Sequence, residues 1–170
     1  MCNLDAHQLT SAGLLISLSL NAPVMSQLPI QVAESTTESS TITKSDTQQY
    51  ENNRRLWNQQ GILNYDYTYT NGCFCTEEAR GPVVIQVRNG KTTSITFKGQ
   101  PVSNPEFFQK YNTVRKLFNV INQAIARRAY KVDVQYDPTF GYPTQITIDE
   151  DAQLADEEIY IGISDFKVIE

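Results

Sequence analysis

The chain has 170 residues and a formal net charge of −5, long enough for one compact domain with one real core. Its lysines and arginines are scattered along the sequence, so the phosphate neutralisation on which nucleic-acid affinity rests has no source, and nucleic acid is set aside as a partner. Its single histidine is His7, and its cysteines are Cys2, Cys73 and Cys75.

Residues 1–26 read as a signal peptide. An apolar run from Ala12 to Leu20 is followed by Asn21-Ala22-Pro23 and by Val24-Met25-Ser26, a triplet suited to precede cleavage. The segment before the run carries Asp5 and no lysine or arginine. The run is too short to cross a bilayer, so no transmembrane span is expected once the leader is removed. Cys2 lies ahead of the run, out of place for a lipid anchor. Export to a periplasmic or extracellular compartment is therefore the expectation. Removal of the leader takes Cys2 and His7 with it, which excludes histidine-based acid/base chemistry, Ser-His-Asp and Cys-His arrangements, and histidine-containing zinc sites.

Residues 27–44, with the hydroxyl-rich run Glu34 to Thr43, have the composition of a flexible tether. Residues 45–170 are read as a single α+β domain. Ser45-Asp46 is placed to cap a first helix, whose apolar stripe is Tyr50, Leu56 and Trp57 and whose stop is Gly61. Asn64 to Thr70 alternates polar residues with Tyr65, Tyr67 and Tyr69, a strand with one aromatic face. After Cys73-Phe74-Cys75, the residues Val83, Ile85 and Val87 alternate again and run into Asn89-Gly90, a hairpin signal. A three-residue bulged loop with Gly90 left-handed is predicted, because it places Ile95 and Phe97 on the same face as those three.

Thr113 caps a second helix in which Val114, Leu117, Phe118, Ile121 and Ile125 share one face. Arg127 and Arg128 fall at its C-terminal end, where positive charge complements the helix dipole. Three strands follow, carried by Tyr130, Val132, Val134 and Tyr136, by Ile146 and Ile148, and by Ile159, Ile161 and Ile163. The order is thus a helix and three strands, twice. Two such units predict one antiparallel sheet with both helices packed on one face.

Three features could carry chemistry. Cys73 and Cys75, separated by one residue, can form a structural disulfide, stay as two thiols, or act as a redox or metal-binding pair. The acidic loop holds Asp149, Glu150, Asp151, Asp156, Glu157 and Glu158 between two strands. Its oxygen ligands suit calcium, with Asp149, Asp151, Asp156 and Glu157 as the candidate set, although the spacing fails the EF-hand pattern at Leu154 and Tyr160. The alternating tyrosines form either a binding platform or, more economically, a packed sheet face.

Taken in order, the Trp57 helix, the Tyr65 to Tyr69 strand, Cys73-Phe74-Cys75, the Val83 to Gly90 hairpin, Thr113 with Leu117-Phe118, Tyr136-Asp137, Gly141-Tyr142-Pro143, Ile146, Asp149 and Asp156-Glu157-Glu158 resemble a family of bacterial secreted proteins and lipoproteins, domain of unknown function 6174. The resemblance covers about Asn53 to Phe166. It implies an envelope or extracellular domain and assigns no catalytic residue, and the chain departs from the lipoprotein members in lacking a lipobox cysteine. The order of elements is also similar to small inhibitor-like and PepSY-like modules, an analogy of fold alone.

The expectation is a non-enzymatic envelope or extracellular module that needs no cofactor and binds a protein partner through Phe74 and the turn Gly141-Tyr142-Pro143. The alternatives are a thiol-disulfide active protein using Cys73 and Cys75, and a calcium-dependent module using the acidic loop.

Overall fold

A computed structural model describes residues 42–154 and 157–170. The leader, most of the tether and Asp156 lie outside the described residues. The first element, α1 (Lys44–Gln60), begins one residue ahead of the expected cap. Thr43 is the N-cap, its hydroxyl accepting from the Asp46 N–H while the Asp46 carboxylate accepts from the Thr43 N–H in a reciprocal box. The helix ends at Gly61 in the left-handed conformation, as its sequence predicts.

Seven strands follow: β1 (Tyr65–Asn71), β2 (Val83–Arg88), β3 (Lys91–Phe97), β4 (Gln100–Pro101), β5 (Lys131–Tyr136), β6 (Pro143–Asp149) and β7 (Ile159–Val168). They form one antiparallel sheet in the order β4-β3-β2-β1-β7-β6-β5. The two helix-and-strand units therefore do share a sheet, through β1 and β7. A two-fold axis normal to the sheet would instead bring the first strands, β1 and β5, together at its centre. The sequence pattern missed the short helix α2 (Glu77–Arg80), β4, and a 3-10 turn over Pro105–Phe108.

The hairpin between β2 and β3 reaches the predicted pairing by a different device. Arg88 pairs with Lys91, leaving a two-residue loop in which Asn89 and Gly90 both have positive φ, 51° and 71°. That is the turn whose twist matches the flanking strands. The extra residue sits inside β3, where the register shifts between Gln86 and Val87, and this bulge sets Ile95 opposite Ile85 and Phe97 opposite Val83.

Helix α3 (Val114–Arg127) has Thr113 as its cap and buries Val114, Leu117, Phe118, Ile121 and Ala124. Each large apolar side chain buried there contributes about 1.5 to 3 kcal/mol as an upper estimate. Arg127 pairs with Glu150, and Arg128 ends the helix in the left-handed conformation. Both long helices lie on one face of the sheet. Helix α1 sets Trp57 edge-on to Tyr65, and α3 stacks Phe118 on Tyr136.

Alternate residues of β1 form the centre of this core, Tyr65, Tyr67 and Tyr69 being buried. The Tyr65 hydroxyl accepts from the Val114 N–H at 3.0 Å, and the Tyr67 hydroxyl donates to the Tyr111 carbonyl at 2.8 Å. The Tyr69 hydroxyl is buried without a hydrogen-bond partner among the described residues. Burial raises all three; Tyr65 is pushed up to about 12, partly opposed by its Val114 hydrogen bond. The tyrosine face is thus a neutral packing surface, not a binding platform.

Candidate functional site

The C-terminal end of β1 leads directly into the cysteine loop. The Gly72 N–H donates to the Tyr160 carbonyl at 2.8 Å, tying the end of β1 to the start of β7. A Cβ on Gly72 would lie 2.9 Å from that of Tyr160, so glycine lets the Tyr160 side chain close over the backbone. The next residues turn away from the sheet. Cys73 and Cys75 are brought together with their Cα atoms 5.3 Å apart, within the range a disulfide spans. Thr76 then caps α2, accepting from the Ala79 N–H.

Between these two fixed points Phe74 stands wholly exposed. An open cleft of about 540 Å³ lies beside it, lined by Gly72, Cys73, Phe74, Glu158 and Tyr160. The Tyr160 ring is 47 % exposed, so two aromatic rings and one carboxylate border the cleft. A shallower depression of about 380 Å³ shares Gly72 and Tyr160 and continues over the face of the sheet away from the helices. Thr70, Thr147, Gly162 and Ser164 are among its lining residues. The acidic loop and the cysteine loop therefore occupy the same end of the sheet. The sequence pattern gave no sign of this, since the contact joins residues 72 and 160.

The other predicted site residues fall elsewhere. Gly141, Tyr142 and Pro143 are buried. Tyr142 is 7 % exposed, stacked on Phe166 with centroids 4.3 Å apart and edge-on to Trp57. Gly141 has φ +79°, and a Cβ there would meet the Asn53 carbonyl at 2.6 Å. This turn is a core element locking α1 against the sheet, so the exposed surface is narrowed to the cysteine loop.

In the acidic loop, the Asp149 Oδ1 and Glu157 Oε1 atoms are buried without hydrogen-bond partners among the described residues. Asp151 is spent on its own turn, accepting from the Gln153 N–H, and Glu150 pairs with Arg127. Asp156 lies outside the described residues. Among those described, no three acidic, cysteine or histidine side chains gather into a metal-holding group. Nor is any helix among them long and apolar enough to cross a membrane.

A family model described as a family of unknown function, DUF6174, matches residues 49–168, a span running from α1 to the end of β7 and so taking in the whole sheet and the cysteine loop. The chain belongs to the DUF6174 family. The first turn of α1, with its Thr43 cap, precedes the match, while the DUF6174 span includes Phe74, Glu158 and Tyr160. No curated protein and no solved structure matches the chain.

Proposed function

We propose that this DUF6174 domain is a non-enzymatic module of the bacterial envelope or exterior, which binds a protein partner through the Cys73–Cys75 loop. One observation carries the reading: a wholly exposed phenylalanine at the apex of a loop held at both feet. Left in water, a phenyl ring forgoes the roughly 1.5 to 3 kcal/mol that its burial contributes. A loop whose backbone is held at both ends loses little further backbone freedom on binding, which leaves more of that burial to the interface.

In this reading the two cysteines close as a disulfide whose role is to hold the loop. Neighbouring positive charge is one of the features that poise a thiol for exchange, whereas the charged side chain lining the cleft is the Glu158 carboxylate. The neutral tyrosines and the buried Gly141 turn belong to the scaffold.

The test is a pull-down from envelope extract with the wild-type chain and with Phe74→Ala. Substitution at an exposed tip leaves the fold intact, so the reading predicts that captured proteins disappear from the variant. Identical capture by both chains would overturn it.

A further inference from the structure

The end of the sheet remote from Phe74 carries a surface of complementary kind. Where α1 hands over to β1, the β2–β3 turn docks on the chain, the Gly90 N–H donating to the Leu63 carbonyl at 2.8 Å and the Asn89 N–H to the Asn64 side chain at 2.8 Å. Beside this junction is a groove of about 320 Å³. Trp57, Ile62 and Leu63 form its apolar side, with Leu63 57 % exposed. Lys91 and Arg115 form the other, and no carboxylate is among the lining residues.

Neither Lys91 nor Arg115 is in an ion pair among the described residues. The first turn of α3, to which Arg115 belongs, holds no acidic residue to offset them. An apolar floor beside uncompensated positive charge fits a ligand with an apolar anchor and a neighbouring carboxylate.

That combination is present at the other end of the same molecule, in Phe74 with Glu158 beside it. We propose that the partner of the Phe74 loop is a second copy of this chain, with Phe74 seated against Ile62 and Leu63 and Glu158 facing Lys91 and Arg115. This rests on the reading of the loop as a binding surface and adds the identity of what it binds. Strand β1 separates the two surfaces, its seven residues spanning about 20 Å at roughly 3.3 Å per residue. The contact joins two different patches, so it is heterologous and leads to rings or open chains rather than to a closed two-fold pair. One aromatic anchor and a few charges make a small interface, hence an association that depends on concentration and weakens with salt.

Sedimentation velocity on the full-length chain, from micromolar to millimolar concentration, tests this with two variants. Phe74→Ala removes the anchor and keeps the groove; Lys91→Glu with Arg115→Glu reverses the groove and keeps the anchor. All three positions are exposed, and circular dichroism confirms that the variants are folded. The wild type is expected to form a concentration-dependent series of oligomers and each variant alone to remain monomeric. An equimolar mixture of the two variants is expected to form a heterodimer and nothing larger, because only one anchor and one groove remain to meet. A monomeric wild type, a variant that still associates, or a mixture without heterodimer would each overturn the proposal. If the wild type is monomeric while Phe74→Ala still loses its captured proteins in the pull-down, only the partner's identity fails and the loop's role stands.

Discussion

At the scale of single residues, the three tyrosines of β1 look equivalent in sequence and are not equivalent in energy. Tyr67 donates to a carbonyl that would otherwise be left without its partner, whereas the Tyr69 hydroxyl is buried with none among the described residues. Removing one member of a buried hydrogen bond costs about 1 to 3 kcal/mol, but removing an unpaired hydroxyl removes a desolvation penalty. Tyr67→Phe is therefore expected to destabilise the domain by about 1 kcal/mol or more in urea unfolding. Tyr69→Phe should be neutral or stabilising. Equal losses would show that the Tyr69 hydroxyl has a partner. Periodicity reveals which face these residues take and nothing about where the hydroxyls go, because Tyr111 and Val114 arrive from a different part of the chain.

At the scale of elements, the Gly141-Tyr142-Pro143 turn and the Cys73-Phe74-Cys75 loop have the same outward signature in sequence, an aromatic flanked by conformationally special residues. Their positions differ completely. Tyr142 is enclosed by Trp57 and Phe166, and Phe74 is wholly exposed. Tyr142→Ala should cost about 3 to 5 kcal/mol of stability, as truncation of a buried large aromatic does, while Phe74→Ala should stay within about 0.5 kcal/mol. Thermal melts of the two variants check this, and a stable Tyr142→Ala chain would return the turn to the surface. The burial of Tyr142 was hidden because its partner Phe166 reaches the core through an irregularity. Between Asp66 and Thr68 the β1–β7 register slips by one residue, with Asp165 at φ +51°. Strict alternation from Ile161 and Ile163 would have pointed Phe166 outward.

At the scale of the whole molecule, what the sequence disclosed was local. The apolar face of α3, its Thr113 cap, the Gly61 stop and the strand alternation all follow from spacing within one element. The centre of the sheet does not, since β1 and β7 are distant in the chain and nothing in either announces the other. The cleft beside Phe74 depends on that pairing, for Glu158 and Tyr160 reach the loop only through β7. So does the separation of the Phe74 end from the groove of Lys91 and Arg115, which lie at opposite ends of β1 and give the domain two unlike poles.

The claim on which the account turns is that Phe74 meets another protein. Replacing Phe74 with a photo-crosslinking benzoylphenylalanine in the chain expressed in its native cells, then irradiating them intact, tests it directly. The account predicts a covalent adduct of higher mass at position 74 that is missing when the same group is placed at the exposed residue Glu51 of α1, on the helical face. Its cross-linked peptide should include Leu63 or Ile62 when the partner is a second copy. An irradiated chain that stays at its own mass would contradict the account.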